Sequence, residues 1–301
     1  QAKPFVVVNT TGFTKTGLTR IVVEWDRIAF SATGTIQEQR HQLEQRLAEL
    51  PELMVVDAHG QSVPFRLIDQ QVAFHYDLPK DRFRDPFQAI ELTIELNVVN
   101  MPAFAWRTLA LQPATQTLVP NATVKAQPRL ISNEWLKIGV EDDGSLTITN
   151  RETNKTYHQM LVFEDTGDMG NEYIYRQTAD KRAYYSTDFP MEVRVVHADE
   201  LGSELELINY LEVPTSADEQ LAKETHAIVD ITQRTAQRST QKVPLTITTK
   251  IRLNPNSRQI QFESHVNNQA KDHRLRVLFK TALTAETHVA DSIYETVTRA
   301  N

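Results

Sequence analysis

Four carboxylates, two glycines, an amide and two tyrosines fall within Phe163-Glu164-Asp165-Thr166-Gly167-Asp168-Met169-Gly170-Asn171-Glu172-Tyr173-Ile174-Tyr175-Arg176. Glycine permits positive φ and a close approach of backbone to a ligand. Carboxylates and an amide are good partners for hydroxyl groups, and a tyrosine face stacks on a pyranose ring. Two readings fit this composition. One is a loop that lines a sugar pocket; the other is a solvated acidic hairpin followed by an alternating strand.

A second polar cluster is Asn267-Asn268-Gln269-Ala270-Lys271-Asp272-His273-Arg274-Leu275-Arg276. His273 beside Asp272 and Arg274 admits acid–base work. It also admits a network of Asp272 and Arg274 that stabilises the turn, because neighbours in a strand point to opposite faces. The nine histidines are His41, His59, His75, His158, His197, His226, His265, His273 and His288, and none stands three to five residues from another. No HExxH, GxSxG elbow, phosphate-cradling glycine loop or dinucleotide fingerprint occurs. A site assembled from distant residues remains open, since geometry rather than spacing defines one.

The elements that would carry these residues read as strands. Ile90, Leu92, Ile94 and Leu96 alternate with Glu91, Thr93 and Glu95, the mark of a strand with one face in a core. The same pattern recurs at 245–253, at 260–266 and around Leu205, Leu207 and Leu211. Turn signals lie between such runs at His59-Gly60, Asp142-Asp143-Gly144 and Asn254-Pro255-Asn256. Ile36–Leu50 departs from this: Ile36, Leu43, Leu47 and Leu50 form a helical apolar stripe that stops at Pro51. Pro113, Pro120 and Pro128 interrupt a polar stretch, so a small sandwich over 1–115, a linker over 116–129 and a larger sandwich over 130–301 are expected.

Composition narrows the function classes. The 39 acidic residues outnumber the 32 basic ones, giving a formal charge of -7, which argues against non-specific nucleic-acid binding. No cysteine is present, so neither a disulfide nor a thiolate ligand enters, and a reducing cytoplasm is expected. No apolar run approaches the roughly 18 residues that span a bilayer, so no membrane partner is expected. A homo-oligomer stays open. The chain opens at Gln1 without methionine and closes abruptly at Asn301, and the expectation is a piece of a longer polypeptide.

Several segments resemble glycoside hydrolase family 38. Val6-Val7-Val8-Asn9 followed by Arg20-Ile21-Val22-Val23 is similar to the opening of its small β-domain, and Met101-Pro102-Ala103-Phe104-Ala105-Trp106-Arg107-Thr108-Leu109 to the strand leaving it. Asn133-Glu134-Trp135-Leu136-Lys137-Ile138 and Asp143-Gly144-Ser145-Leu146 resemble the start of its large sandwich. The stretch Phe163–Tyr175, ending in Tyr-x-Tyr, and Asp272–Arg276 are similar to its acidic loop and basic turn.

The resemblance implies an all-β chain: a small β-sandwich followed by part of a large, mutarotase-like β-supersandwich, with one short helix near 36–50. It implies the non-catalytic portion of a retaining, zinc-dependent α-mannosidase or a close relative such as a mannosylglycerate hydrolase. In that family the nucleophile and the zinc ligands lie mostly in an N-terminal β/α domain and a helical bundle. No parallel strand–helix alternation of that kind is present here, so zinc is expected in the parent enzyme and not in this fragment. The implied partners are α-mannosides and the missing catalytic domain, and the fragment alone is expected to be inactive.

By the same resemblance Tyr173 reaches the sugar, while Asp168 and Glu172 shape the pocket edge. Asn171 stands where many bacterial members carry aspartate; asparagine keeps an acceptor and removes a charge. An independent carbohydrate-binding module is the alternative, with Trp25, Trp106 and Trp135 as its candidate platform. A self-sufficient aldose epimerase needs a positioned acid and base, and no convincing His/Glu pair is visible.

Overall fold

The period-two alternation is strand in the structure, a computed structural model that describes residues 2–114, 125–255 and 257–301. The linker expected over 116–129 therefore lies mostly outside the described residues, as does Asn256 of the expected turn at 254–256. The first half of the chain runs through β1 (Lys3–Val8), β2 (Lys15–Ala29), helix α1 (Ile36–Ala48), β3 (Leu53–Asp57), β4 (Ser62–Val63), β5 (Phe65–Asp77), β6 (Asp85–Met101) and β7 (Trp106–Pro113). These strands make two antiparallel sheets, ordered β1-β7-β3-β4 and β2-β6-β5. Ile90, Leu92, Ile94 and Leu96 of β6 face inward against Val55 of β3 and Leu111 of β7, so one core joins the two sheets. Each such side chain, fully buried, contributes about 1.5–3 kcal/mol.

Helix α1 covers part of the expected 36–50 segment. Leu43 is buried and Leu47 packs on the same core; Leu50 lies beyond the last helical turn and still reaches it. Ile36, counted in the apolar stripe, is exposed.

The second half contains β8 (Lys125–Gln127), β9 (Leu130–Ser132), β10 (Leu136–Val140), β11 (Leu146–Asn150), β12 (Lys155–Gly167), β13 (Ala183–Tyr185), β14 (Met191–Asp199), β15 (Gly202–Pro214), helix α2 (Glu219–His226), β16 (Lys242–Leu253), β17 (Ile260–Asn267), β18 (His273–Phe279), β19 (Thr287–Ser292) and β20 (Glu295–Ala300). One sheet follows the order β13-β12-β11-β10-β9-β8 with β18 also on β12, and the other is β14-β15-β16-β17. Leu205, Leu207, Ile247 and Ile251 of the latter meet Ile138, Ile148 and Phe163 of the former in a second core. β19 and β20 form a separate hairpin. Among the described residues the fold is all-β, with the two α-helices and one 3-10 turn over Ser186–Asp188.

Two local expectations are corrected. Helix α2 was not anticipated: its eight residues are too few to display a stripe, and the Asp218 side chain that caps it is its clearest signal. The alternating strand expected after the acidic stretch does not form; the segment after Gly167 is irregular, with one isolated bridge between Asp168 and Gln177.

Candidate functional site

The site begins with β12, because that strand carries charge into the interior. Beyond Met160 it pairs with β18 on Gly167↔His273, Asp165↔Leu275 and Glu164↔Arg276, and with β13 on Glu164↔Tyr185. Glu164 and Asp165, read from sequence as members of a loop, are strand residues buried on opposite faces. Glu164 accepts from Arg276 Nε at 2.7 Å, from Arg276 Nη2, and from the Tyr185 hydroxyl at 3.3 Å. Burial, and then the Glu164 charge, push the Tyr185 phenol above its ordinary pKa.

On the other face Asp165, with no solvent exposure, meets Arg238 Nη1 through one oxygen and His273 Nδ1 through the other. Arg238 is equally buried, lies 5.4 Å from the centre of the Tyr184 ring, and finds no hydrogen-bond acceptor for Nε or Nη2 among the described residues. Asp272 and Arg274, expected to form one network, have separate partners. The Asp272 carboxylate accepts the Ala217 amide at 3.3 Å, whereas Arg274 stacks over Tyr175 at 4.5 Å. His273 and Arg274 thus leave opposite faces of β18, as strand geometry requires.

The irregular loop after β12 is pinned at many points. Gly167 has no room for a side chain: a Cβ there would lie 2.4 Å from Thr178 Oγ1. Asp168 Oδ1 accepts the amides of Gly170 at 2.8 Å and Arg176 at 3.1 Å, and the Asp168 amide donates to the Asp272 carbonyl at 2.8 Å. A Cβ on Gly170 would fall 1.8 Å from the Ile174 carbonyl, so only glycine permits the chain to double back. Asn171 Oδ1 accepts the amides of Tyr173 at 2.9 Å and Ile174 at 2.8 Å. A neutral amide oxygen suffices for that turn. The Tyr175 hydroxyl lies 3.1 Å from Thr166 Oγ1 and fastens the return limb to β12.

Tyr173 stands at the tip with 87% of its surface exposed, and Glu172 beside it is also exposed. Neither side chain hydrogen-bonds a described residue. The four residues singled out in the sequence are therefore neighbours on one loop. Asp168 and Asn171 hold its backbone, and Tyr173 and Glu172 face outward.

Sequence reasoning missed the support beneath. Glu224 of α2 accepts the Thr235 hydroxyl at 2.7 Å, the Thr235 amide at 2.8 Å and Gln220 Nε2 at 3.1 Å. Burial raises its carboxyl pKa, but these hydrogen bonds outweigh that and pull it down to about 2. The segment so fixed carries Arg234, whose Nη1 donates to the carbonyls of Met169 at 2.6 Å and Gly170 at 3.0 Å. The one available signal was the acidic pair Glu164-Asp165 directly after the apolar run Leu161-Val162-Phe163, since carboxylates there need buried cations. Among the described residues no group of three or more His, Asp or Glu side chains could hold a metal ion.

This arrangement has known counterparts. Residues 1–113 match the family model described as glycosyl hydrolases family 38 C-terminal domain 1, and residues 131–301 match the family 38 C-terminal domain. The chain belongs to glycosyl hydrolase family 38. Among solved structures, an alpha-mannosidase from Enterococcus faecalis V583 superposes with a TM-score of 0.93 at 39% identity, covering all of this chain and 34% of that one. A protein in the glycosyl hydrolase family 38 from Enterococcus faecalis gives 0.92 at 38% identity, over all of this chain and 35% of its own length. A Halalkalibacterium halodurans protein provisionally named a mannosylglycerate hydrolase is 30% identical over 311 residues. This chain spans 34% of that relative's length, and so about a third of each of the three. No helix among the described residues is long and apolar enough to cross a membrane.

Proposed function

We propose that this chain is the non-catalytic β-portion of a retaining, zinc-dependent α-mannosidase-type hydrolase. On this reading it braces the catalytic domain and lines one side of the mannoside cleft. The chain divides into a small sandwich over 1–115, a linker over 116–129 and a larger sandwich over 130–301, and its lack of cysteine supports a cytoplasmic setting. The observation that carries the reading is Tyr173: an almost fully exposed tyrosine at the tip of a loop held at every turn. Large exposed aromatics normally cost solvation, and a rigid mount for one is what a binding surface requires.

Chemistry by a carboxylate pair belongs to the remainder of the parent. Zinc would there help to bind and orient the sugar. Tyr173 contributes a hydroxyl and a ring face to the bound mannoside, with Glu172 at the rim and Asp168 and Asn171 beneath. A single wall lacks most of the buried area that holds a sugar, so the isolated chain binds mannosides weakly and does not hydrolyse them.

The test is hydrolysis of an aryl α-mannoside by the full-length gene product beside this 301-residue chain, with and without a chelator. Activity should appear only in the full-length protein and vanish with the metal. Tyr173→Phe should lower kcat/KM by about two- to tenfold, the worth of one hydrogen bond, and Tyr173→Ala by more. Undiminished rates for both variants reject the assignment.

One observation favours a second reading, an independent carbohydrate-binding module. Trp106 is 73% exposed on β7, whereas Trp25 and Trp135 pack on the two cores. Saturable quenching of Trp106 fluorescence by mannosides in the isolated chain, lost in Trp106→Ala, would support that reading over the first.

A further inference from the structure

We propose that Arg234 is a positioning residue for Tyr173, acting through the backbone of the loop that carries it. The inference rests on the reading of Tyr173 given above. Arg234 lies between α2 and β16, and its Nη1 reaches two successive carbonyls, Met169 and Gly170, where the loop folds back. Gly170 is the point at which the chain almost touches itself, and Asn171 follows with the turn that sets the Tyr173 amide. A guanidinium bridging two carbonyls one residue before that turn fixes the direction in which the tip leaves.

The anchor is itself immobilised. Glu224 gathers the amide and hydroxyl of Thr235, the residue next to Arg234. Arg234 Nε also approaches the Val229 carbonyl at 3.4 Å, and Arg176 Nη2 returns from the loop to the Thr232 carbonyl at 3.3 Å. A chain of contacts therefore runs from α2 through Thr235 and Arg234 to Gly170, Asn171 and Tyr173. The Asp168 carboxylate ties the loop internally, whereas Arg234 ties it to the segment between α2 and β16. Loss of the guanidinium leaves the Met169 carbonyl without this donor beside a buried side chain and frees the tip to drift. Drift of about 1 Å at a sugar contact lowers turnover without removing the contact residue.

A lysine ammonium keeps the charge and has donors for both carbonyls but lacks the second nitrogen that Arg234 turns to the Val229 carbonyl, so Arg234→Lys should restore part of what Arg234→Ala loses.

The deciding experiment is a double-mutant cycle in the full-length gene product, reading kcat/KM on an aryl α-mannoside. Arg234→Ala should lower kcat/KM about tenfold, with Arg234→Lys between it and the parent. In a Tyr173→Ala background, Arg234→Ala should cost nothing further. Hydrogen exchange at the amides of 168–176 should quicken in Arg234→Ala while the remaining strands keep their protection. Equal losses in both backgrounds, or no loss in either, overturn the positioning role. An undiminished rate for Tyr173→Ala alone overturns instead the reading beneath it, so the two failures are told apart.

Discussion

Asp165 sits on a strand, sealed from solvent, with Arg238 on one oxygen and His273 on the other. Removing one member of a buried ion pair leaves the rest uncompensated, which costs about 3–5 kcal/mol. Asp165→Ala should therefore lower the urea midpoint steeply with an unchanged denaturant slope. A cost below about 1 kcal/mol would mean that this cluster does not hold β12, β18 and the approach to β16 together. At this scale the sequence showed the loop and not its supports. The acidic stretch is visible because its residues are consecutive, but Asp165 finds Arg238 and His273 at separations of 73 and 108 residues. Such pairings follow from strand register, which no local spacing encodes.

Elements were legible wherever side-chain period and burial agreed. The alternation at 90–96, 245–253 and 260–266 falls within β6, β16 and β17, because each strand turns one face to a core. The reading failed after Gly170, where the Asn171 side chain captures two amides and competes with any strand ladder. Helix α1 carries a further signal, the Thr-x-x-Glu box that starts it. Thr35 Oγ1 accepts the Glu38 amide at 3.2 Å, and the Glu38 carboxylate accepts the Thr35 amide at 2.7 Å. The Thr35 amide and hydroxyl hold that carboxyl below its ordinary pKa. Thr35→Ala should cost about 1 kcal/mol and Thr35→Ser much less, read as shifts in urea midpoint. Equal losses for the two variants would assign the effect to the threonine methyl group and not to the cap.

Two apolar cores share one molecule, and ionic contacts link the sheets around them. Arg66 of β5 reaches Asp199 at the end of β14 with two parallel bonds, Nε to Oδ2 at 2.8 Å and Nη2 to Oδ1 at 2.7 Å. Its remaining Nη1 returns to Glu95 of β6 at 3.0 Å, and Glu95 also takes Arg20 of β2 at 2.9 Å. Burial, followed by the Arg66 charge, lowers the pKa of His197, which favours its neutral form and leaves Asp199 as the anion that answers Arg66. Burial alone would raise the Asp199 carboxyl. Its bonds to Arg66 and the Leu201 amide prevail and hold it below the ordinary 3.8. A depressed carboxyl stabilises the fold fully above its unfolded pKa and loses that contribution as pH falls through the folded value. Arg66→Ala should thus cost about 1–3 kcal/mol at neutral pH, and the difference from the parent should shrink as pH drops below 3.8. Trp25 packs on the first core and Trp135 on the second, so each reports on one of them. In chains keeping one of these two tryptophans, with Trp106 replaced by phenylalanine in both, the parent transitions should coincide. Arg66→Ala should separate them, because a bidentate ion pair between β5 and β14 would no longer oppose independent unfolding. Coincident, unshifted transitions in Arg66→Ala would place the coupling elsewhere and reduce this ion pair to a surface contact worth little.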